Sequence, residues 1–462
     1  MIKKLLGSQL RLNMASGVVT TVINTMAMMA AFPIYLHFLG YERYGVWLVL
    51  ATVLSFAQLG NLGIGQAVMK LVAEECGRGN IKGIQQYVTT ALALLCLSGT
   101  VALLLILLLR NQIIGVFKLS DENAGLVLWL LPYIGILSIY VFLVEALNAT
   151  LSGLGRMDLA NYTQSFGRIV AVTVAAILLY SGRGIESLLI GNTLSYVFVN
   201  IVSLIFIRRI AKIQLLHIYN LDAQRCKRLL RFGGGVFGGS LVSMLFSPFN
   251  KLMLSRYAGV ATIPVYEIAF TASMQVRGLI EAGLRALMPE ISRISANVTR
   301  NTKDRISQIY RRAMRLIFLF GIPMYGILAI FSPLLLRLWL GDKFVEILPG
   351  AFRIILTGTF LSLLCVPAYY TLMGLGRIHY CFLSQVIQGI VNAGIVGIII
   401  LFAGTLSIHS VALAVMLAMG VSSFYVVWQN RCVMRKLLLC PIGQSRAISA
   451  PVSPMSCVSP EA

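Results

Sequence analysis

Long apolar runs alternate with short polar breaks along nearly the whole of this chain. A run of roughly 20 apolar residues is long enough to cross a bilayer as a helix. The pattern predicts twelve such spans: 14–37, 45–69, 86–109, 125–152, 161–181 and 187–207 in the first half, then 232–256, 264–289, 314–338, 349–373, 380–403 and 408–429 in the second. Between the halves lies a basic connector, "RRIAKIQLLHIYNLDAQRCKRLLR". The expected organisation is a six-helix N-terminal bundle over 1–207, the connector over 208–231, a second bundle over 232–430 and a tail over 431–462. The end of that tail is rich in Ser, Pro and Ala, a composition too poor in apolar surface to order itself. The basic start is followed by an apolar run reaching about Leu36, too long for a signal-peptide core, so it reads as an uncleaved first span.

The halves repeat one another. "TLSGLGRMD" (150–158) returns as "TLMGLGRIH" (371–379), identical at six of its first seven positions and placed after the fourth span of each half. Gln164 matches Gln385 at the same offset. Upstream the offset is 219: Gly40 with Gly259, Val46 with Val265, Ala67 with Ala286 and Met69 with Met288. One duplication with a small indel accounts for both offsets. Each half holds an even number of spans, so both enter the membrane in the same sense. Their relating axis then lies along the membrane normal, as in parallel-repeat transporters. The expected fold is an all-α polytopic membrane protein of about 12 transmembrane helices in two six-helix bundles.

Composition agrees. The 462 residues are 58% hydrophobic, with mean hydropathy +0.85, and only 12% are charged, about half the usual share of a soluble chain. The formal net charge is +22, which in a soluble protein would suggest nucleic acid. Here most of the Lys and Arg fall in alternate loops, as the positive-inside rule requires when both termini are cytoplasmic. No basic cluster is interleaved with aromatics on a polar domain, so nucleic acid is not an expected partner. Eight cysteines show no CxxC spacing and the four histidines no HExxH pattern, so neither disulfide, metal site nor cofactor is expected. No loop is long enough for a catalytic domain, and no nucleophile–base constellation is present, which argues against an enzyme.

Ionisable groups within spans are costly and usually face a cavity. In "PVYEIAFTASMQVRGLIEAGLRALM" (264–288), Arg277, Glu281 and Arg285 are spaced i, i+4, i+8 and share one helical face. They either line the central cleft and present positive charge to an anionic head group, or form an internal ion-pair ladder. Gln58 holds the matching position of the second span. Lys251, three residues after Pro248, is either a phosphate-attracting charge or a snorkelling lysine. Arg168 and Arg353 line the cleft or snorkel. Glu145 pairs with Arg168 or titrates as a coupling site. Asn24, on a polar face with Thr20, Thr21 and Thr25, lines the cavity or hydrogen-bonds between helices. The glycine run 232–240 gives close helix packing or a bending point. Arg156 and Arg377, ending the repeated phrase, are cap-and-anchor residues or greet a substrate at the cytoplasmic mouth. A cationic cleft requires about three of Arg277, Lys251, Arg168 and Arg353 to face it together.

The stretch "FAQLGNLGIGQAVMKLVAEECGRGNIKGIQQYVTTAL" (56–92), with "YERYGVW" (41–47) and the "LxGLGR" phrase, resembles the polysaccharide-transporter branch of the multidrug/oligosaccharidyl-lipid/polysaccharide exporter superfamily. The resemblance extends over almost the whole chain in topology. It implies a MATE-like fold and a flippase for undecaprenyl-pyrophosphate-linked oligosaccharides, such as O-antigen units, in the bacterial cytoplasmic membrane. The partners it implies are the lipid-linked substrate, membrane lipids, and the polysaccharide polymerase and chain-length machinery. One departure stands out. Asn61 occupies a place where family members often carry an acidic residue, which removes a coupling carboxylate from that position. Competing readings are a MATE-type cation-coupled drug exporter, a lipid II-type flippase and a non-transporting envelope scaffold.

Overall fold

A computed structural model describes residues 2–211, 222–284, 291 and 302–436. Within them the chain is helical apart from short turns. We number the helices in chain order: α1 (Ile2–Ala57), α2 (Ile64–Gly77), α3 (Ile81–Leu108), α4 (Arg110–Phe117), α5 (Asp121–Gly153), α6 (Met157–Tyr180) and α7 (Glu186–Ala211). The second half has α8 (Ala223–Ala258), α9 (Thr262–Leu284), α10 (Thr302–Leu316), α11 (Ile322–Leu340), α12 (Ile347–Gly374), α13 (Ile378–Ala403) and α14 (Ile408–Lys436). We call α1–α7 the N-lobe and α8–α14 the C-lobe.

Nine of the described helical segments are long and apolar enough to cross a membrane. The first covers two passages, because α1 is broken at Gly40, whose φ of 67° and ψ of 179° are open essentially to glycine alone. The charged α8 and α9 have 36 and 23 residues, ample length for a crossing. Among the described residues these helices are consistent with the twelve expected passages. Where 45–69 reads as one span, the structure interrupts it. A 3₁₀ turn (Gln58–Asn61) is followed by Leu62 and Gly63 in the left-handed region, and α2 then continues. The connector is shorter than its charge suggests. Asp222 accepts a hydrogen bond from the Gln224 N–H at 2.8 Å and caps α8, which starts within the basic segment. That backbone N–H holds the Asp222 carboxyl below the ordinary aspartate range. Likewise α10 occupies the second half of the expected loop before the ninth span and runs through a π-helical turn (Ile317–Gly321) into α11. The tail beyond 436 lies outside the described residues.

The duplication is visible in backbone geometry. After α5, the Gly155 N–H donates to Ser152 O at 3.0 Å and the Arg156 N–H to Leu151 O at 3.0 Å. After α12, Gly376 and Arg377 make the same bonds to Met373 O and Leu372 O, at 3.0 and 2.8 Å. This is a Schellman cap, which needs a left-handed residue. Gly155 and Gly376 supply it with φ of 79° and 76°. Gly259, 219 residues after Gly40, likewise takes positive φ. The two equivalent turns meet: a Cβ on Gly45 would strike the Val260 carbonyl. Following the passages in order, the turns at 78–80, 154–156 and 375–377 fall on one side, the basic face, and those at 40, 118–120, 259–261 and 404–407 on the other.

The lobes are joined at both faces. Near the Gly40 face, Tyr41 Oη donates to Lys343 O at 2.7 Å and Trp339 Nε1 to Met29 O at 2.7 Å. Toward the basic face, α8 grips the N-lobe through Arg228–Glu74 at 3.0 Å, Arg225 to Gly83 O at 2.9 Å, and Lys70 over the Phe232 ring at 4.3 Å. The "AEE" segment has its own task. Buried Glu75 accepts from Arg78 at 3.0 Å and from Asn80 at 2.6 Å, while Asn80 caps α3 by accepting from Gly83 N at 3.0 Å. That network fixes the tight α2–α3 turn.

Candidate functional site

Helix α9 organises the interior. Phe270, Met274, Arg277 and Glu281 recur at steps of four, three and four, so they share one helical face. That face borders a cavity of ≈ 280 Å³ inside the C-lobe, closed by residues of α8, α12, α13 and α14. Thr271, Gln275 and Leu279 lie on the neighbouring face and border an apolar cavity of ≈ 310 Å³ with Met28 and Phe32 of α1 and Trp339 of α11. At the other end of the helix, Glu267 reaches a third cavity, ≈ 350 Å³, inside the N-lobe. Tyr35, Tyr44, Trp47, Tyr196, Asn192, Gln58 and Arg168 border this one.

The mid-span cations do not converge on one cleft. Arg277 forms an ion pair with Glu281 at 3.2 Å, and Tyr370 Oη donates to the same carboxylate at 3.1 Å. The ladder alternative is therefore realised for these two, although both border the C-lobe cavity; Arg285 lies outside the described residues. Lys251 is not a spare charge. Its Nζ sits 2.8 Å from Glu267, with side chains 12% and 15% exposed. Arg353 lines none of the three cavities, although Phe352 beside it and its partner Ser332 border the apolar one. Its Nε donates to Ala329 O and Ser332 Oγ, each at 2.8 Å. Ala329 is the residue whose carbonyl Pro333, lacking an N–H, leaves unbonded, so Arg353 mends a proline break. Arg168 is different. It borders the N-lobe cavity and is exposed, and it forms no ion pair with a described residue.

Glu145 does not pair with Arg168. It accepts from the Asn61 side chain and packs on Gly65, where a Cβ would come within 2.8 Å of its Oε1. A carboxylate therefore stands beside Asn61 after all, contributed by α5 rather than by the second span. Thr20 accepts from Ser165 at 2.9 Å and Thr25 donates to Gln275 at 3.0 Å, so the polar face of α1 bonds between helices. Asn24 sits among them with its Oδ1 buried and without a hydrogen-bond partner among the described residues. Of the two repeated arginines, Arg156 is held bidentately by Asp158, both contacts 3.0 Å. Arg377 has His379 at the equivalent place and forms no ion pair with a described residue.

Several residues escaped sequence reasoning. Glu267 lies in the quoted eighth span, but nothing local marks it as the partner of Lys251 on another helix. Gln385 is a marker of the duplication, yet with Gln388 it borders the C-lobe cavity. The tyrosines around Arg168 come from α1 and α7 and have no common motif.

The fold is a polytopic helical one that solved transporters of the MOP superfamily share. A multidrug resistance MATE family transporter of that superfamily, in an inward-facing conformation, superposes with TM-score 0.73 at 15% identity, covering 91% of this chain and 96% of its own. The lipid II flippase MurJ in an inward closed conformation gives 0.72 at 16%, covering 91% and 90%. At these identities the likeness is one of fold. The chain belongs to the family of polysaccharide biosynthesis proteins, whose pattern matches residues 36–349. A putative O-antigen transporter of Shigella flexneri is 21% identical over 342 residues, which cover 73% of this chain and 78% of that protein.

Proposed function

We propose that the protein is a flippase for an undecaprenyl-pyrophosphate-linked oligosaccharide, an O-antigen or other surface-polysaccharide unit. It moves the unit from the inner to the outer leaflet of the bacterial cytoplasmic membrane by alternating access of two bundles, 1–207 and 232–430. Both termini and the basic face lie in the cytoplasm, where the positive-inside rule places them. The observation that carries this reading is Arg168. It is a guanidinium within the membrane-spanning bundle, open to a cavity, with no carboxylate paired to it among the described residues. An unpaired cation in such a place is costly and is explained by an anionic ligand that completes it; a pyrophosphate matches the guanidinium fork. The tyrosine hydroxyls beside it supply further donors.

The prenyl chain stays in lipid while the head group crosses a hydrated interior, so the protein acts as a transporter and performs no bond chemistry. Arg377, with no carboxylate paired to it among the described residues, is the better of the two repeated arginines for an entrance role. The polymerase and chain-length machinery are the partners such a unit would meet after crossing. A cation exporter fits less well, since Glu267 and Glu281 are both engaged by basic residues. The test is Arg168→Ala in cells that depend on this protein for surface glycan. Surface glycan should fall sharply, with Arg168→Lys intermediate. Undiminished glycan in the alanine variant, at matched protein level, overturns the reading.

A further inference from the structure

We propose that the C-lobe cavity is a saccharide subsite, distinct from the head-group site at Arg168 and lined to hydrogen-bond the hydroxyls of the glycan. The inference rests on the flippase reading above and adds where the sugar sits.

The two cavities differ in charge. The N-lobe cavity keeps the uncompensated Arg168, whereas in the C-lobe cavity Arg277 and Glu281 cancel one another at 3.2 Å. A site without net charge suits a dianionic pyrophosphate poorly. Its polar content suits a polyol well. Gln385 and Gln388, one turn apart on α13, both border the cavity, and neither amide bonds another described residue. Arg277 Nε is buried and has no hydrogen-bond partner among the described residues. Buried polar groups are normally satisfied, and donors left open on a cavity wall are available to a ligand. Two amides offer donors and acceptors together, as does the Arg–Glu pair. A sugar hydroxyl is itself both donor and acceptor, so it satisfies such a wall where a simple anion would not. Ser362, Tyr369 and Phe270 complete the lining, giving the mixture of aromatic wall and few polar groups typical of ligand sites.

The spacing also fits. Helix α9 touches the N-lobe cavity at Glu267 and the C-lobe cavity at Arg277. Ten residues of helix separate them, about 15 Å along its axis, a distance that a short oligosaccharide attached to the head group can span.

The test uses the full-length protein in nanodiscs with two probes: undecaprenyl pyrophosphate, and the oligosaccharide-bearing lipid extracted from cells that make this protein. The double variant Gln385→Ala/Gln388→Ala should bind the oligosaccharide lipid about tenfold more weakly, the effect of losing two ligand hydrogen bonds, and bind the bare lipid as the wild type does. Arg168→Ala should weaken both. Unchanged binding of the oligosaccharide lipid by the double variant overturns the saccharide subsite. Equal weakening of both lipids does so too, provided the milder Gln388→Asn also fails to discriminate; that variant guards against misfolding. If Arg168→Ala alters neither lipid while the glutamine variants discriminate, the head-group assignment fails and the saccharide subsite stands.

Discussion

Replacing Lys251 with alanine strands Glu267 inside the bundle. The two charges lie 2.8 Å apart on α8 and α9, and their side chains are 12% and 15% exposed. Removing one partner of a buried pair costs roughly 3–5 kcal/mol, because the survivor keeps its charge without compensation. The remaining exposure, and a second contact from Thr271 Oγ1 to Glu267 at 3.4 Å, place this pair near the lower end, about 3 kcal/mol. Removing both charges leaves no orphan, so Lys251→Ala/Glu267→Ala should lose much less than the sum of the two singles. The coupling between the sites should then be about 2 kcal/mol. The assay is thermal unfolding of the four proteins in one detergent at one heating rate, followed by tryptophan fluorescence. The single variants should unfold several degrees below the wild type, and the loss in the double variant should fall short of the sum of the two singles by about 2 kcal/mol. The reversed pair, Lys251→Glu/Glu267→Lys, should recover part of the loss. If the double variant falls by the sum of the singles, the charges are not coupled. Lys251 would then regain its standing as a free cation available to a substrate.

Two further outcomes follow from the same geometry. Gly155 and Gly376 have φ of 79° and 76°, and a Cβ at either would meet nothing within 4 Å. Gly155→Ala and Gly376→Ala should therefore each cost only the left-handed backbone penalty, about 1–2 kcal/mol, with asparagine milder at both. Unequal losses in unfolding temperature would refute the equivalence of the two caps. Arg353→Ala should destabilise the wild type by about 1–2 kcal/mol, since it strands the Ala329 carbonyl, and should cost less in a Pro333→Ala background, where the helix regains its own N–H donor. Equal losses in both backgrounds would show that Arg353 is not mending the proline break.

The sequence by itself determined the membrane class, the succession of spans and the duplication. These are local properties. Hydropathy is a sum over a segment's own residues, and the "LxGLGR" phrase encodes its cap within a single turn, so both are readable without any neighbour. Charge partition was legible for the same reason, because loops carry it in sequence order. What only the tertiary structure decided is which polar group meets which. Lys251 and Glu267 are on different helices, and their contact depends on how α8 and α9 are rotated. Glu145 was equally placed, by sequence, to meet Arg168, yet α5 turns it toward Asn61 and Gly65. Arg353 was open, by sequence, to line the cleft or to snorkel, yet α11 brings beside it Pro333 and the Ala329 carbonyl that this proline leaves unbonded. A helix in an apolar solvent must satisfy its charges with whatever its neighbours present, and neighbours are set by packing. The four mid-span cations thus look alike along the chain, and only their surroundings leave one of them, Arg168, without an ion-pair or hydrogen-bond partner among the described residues.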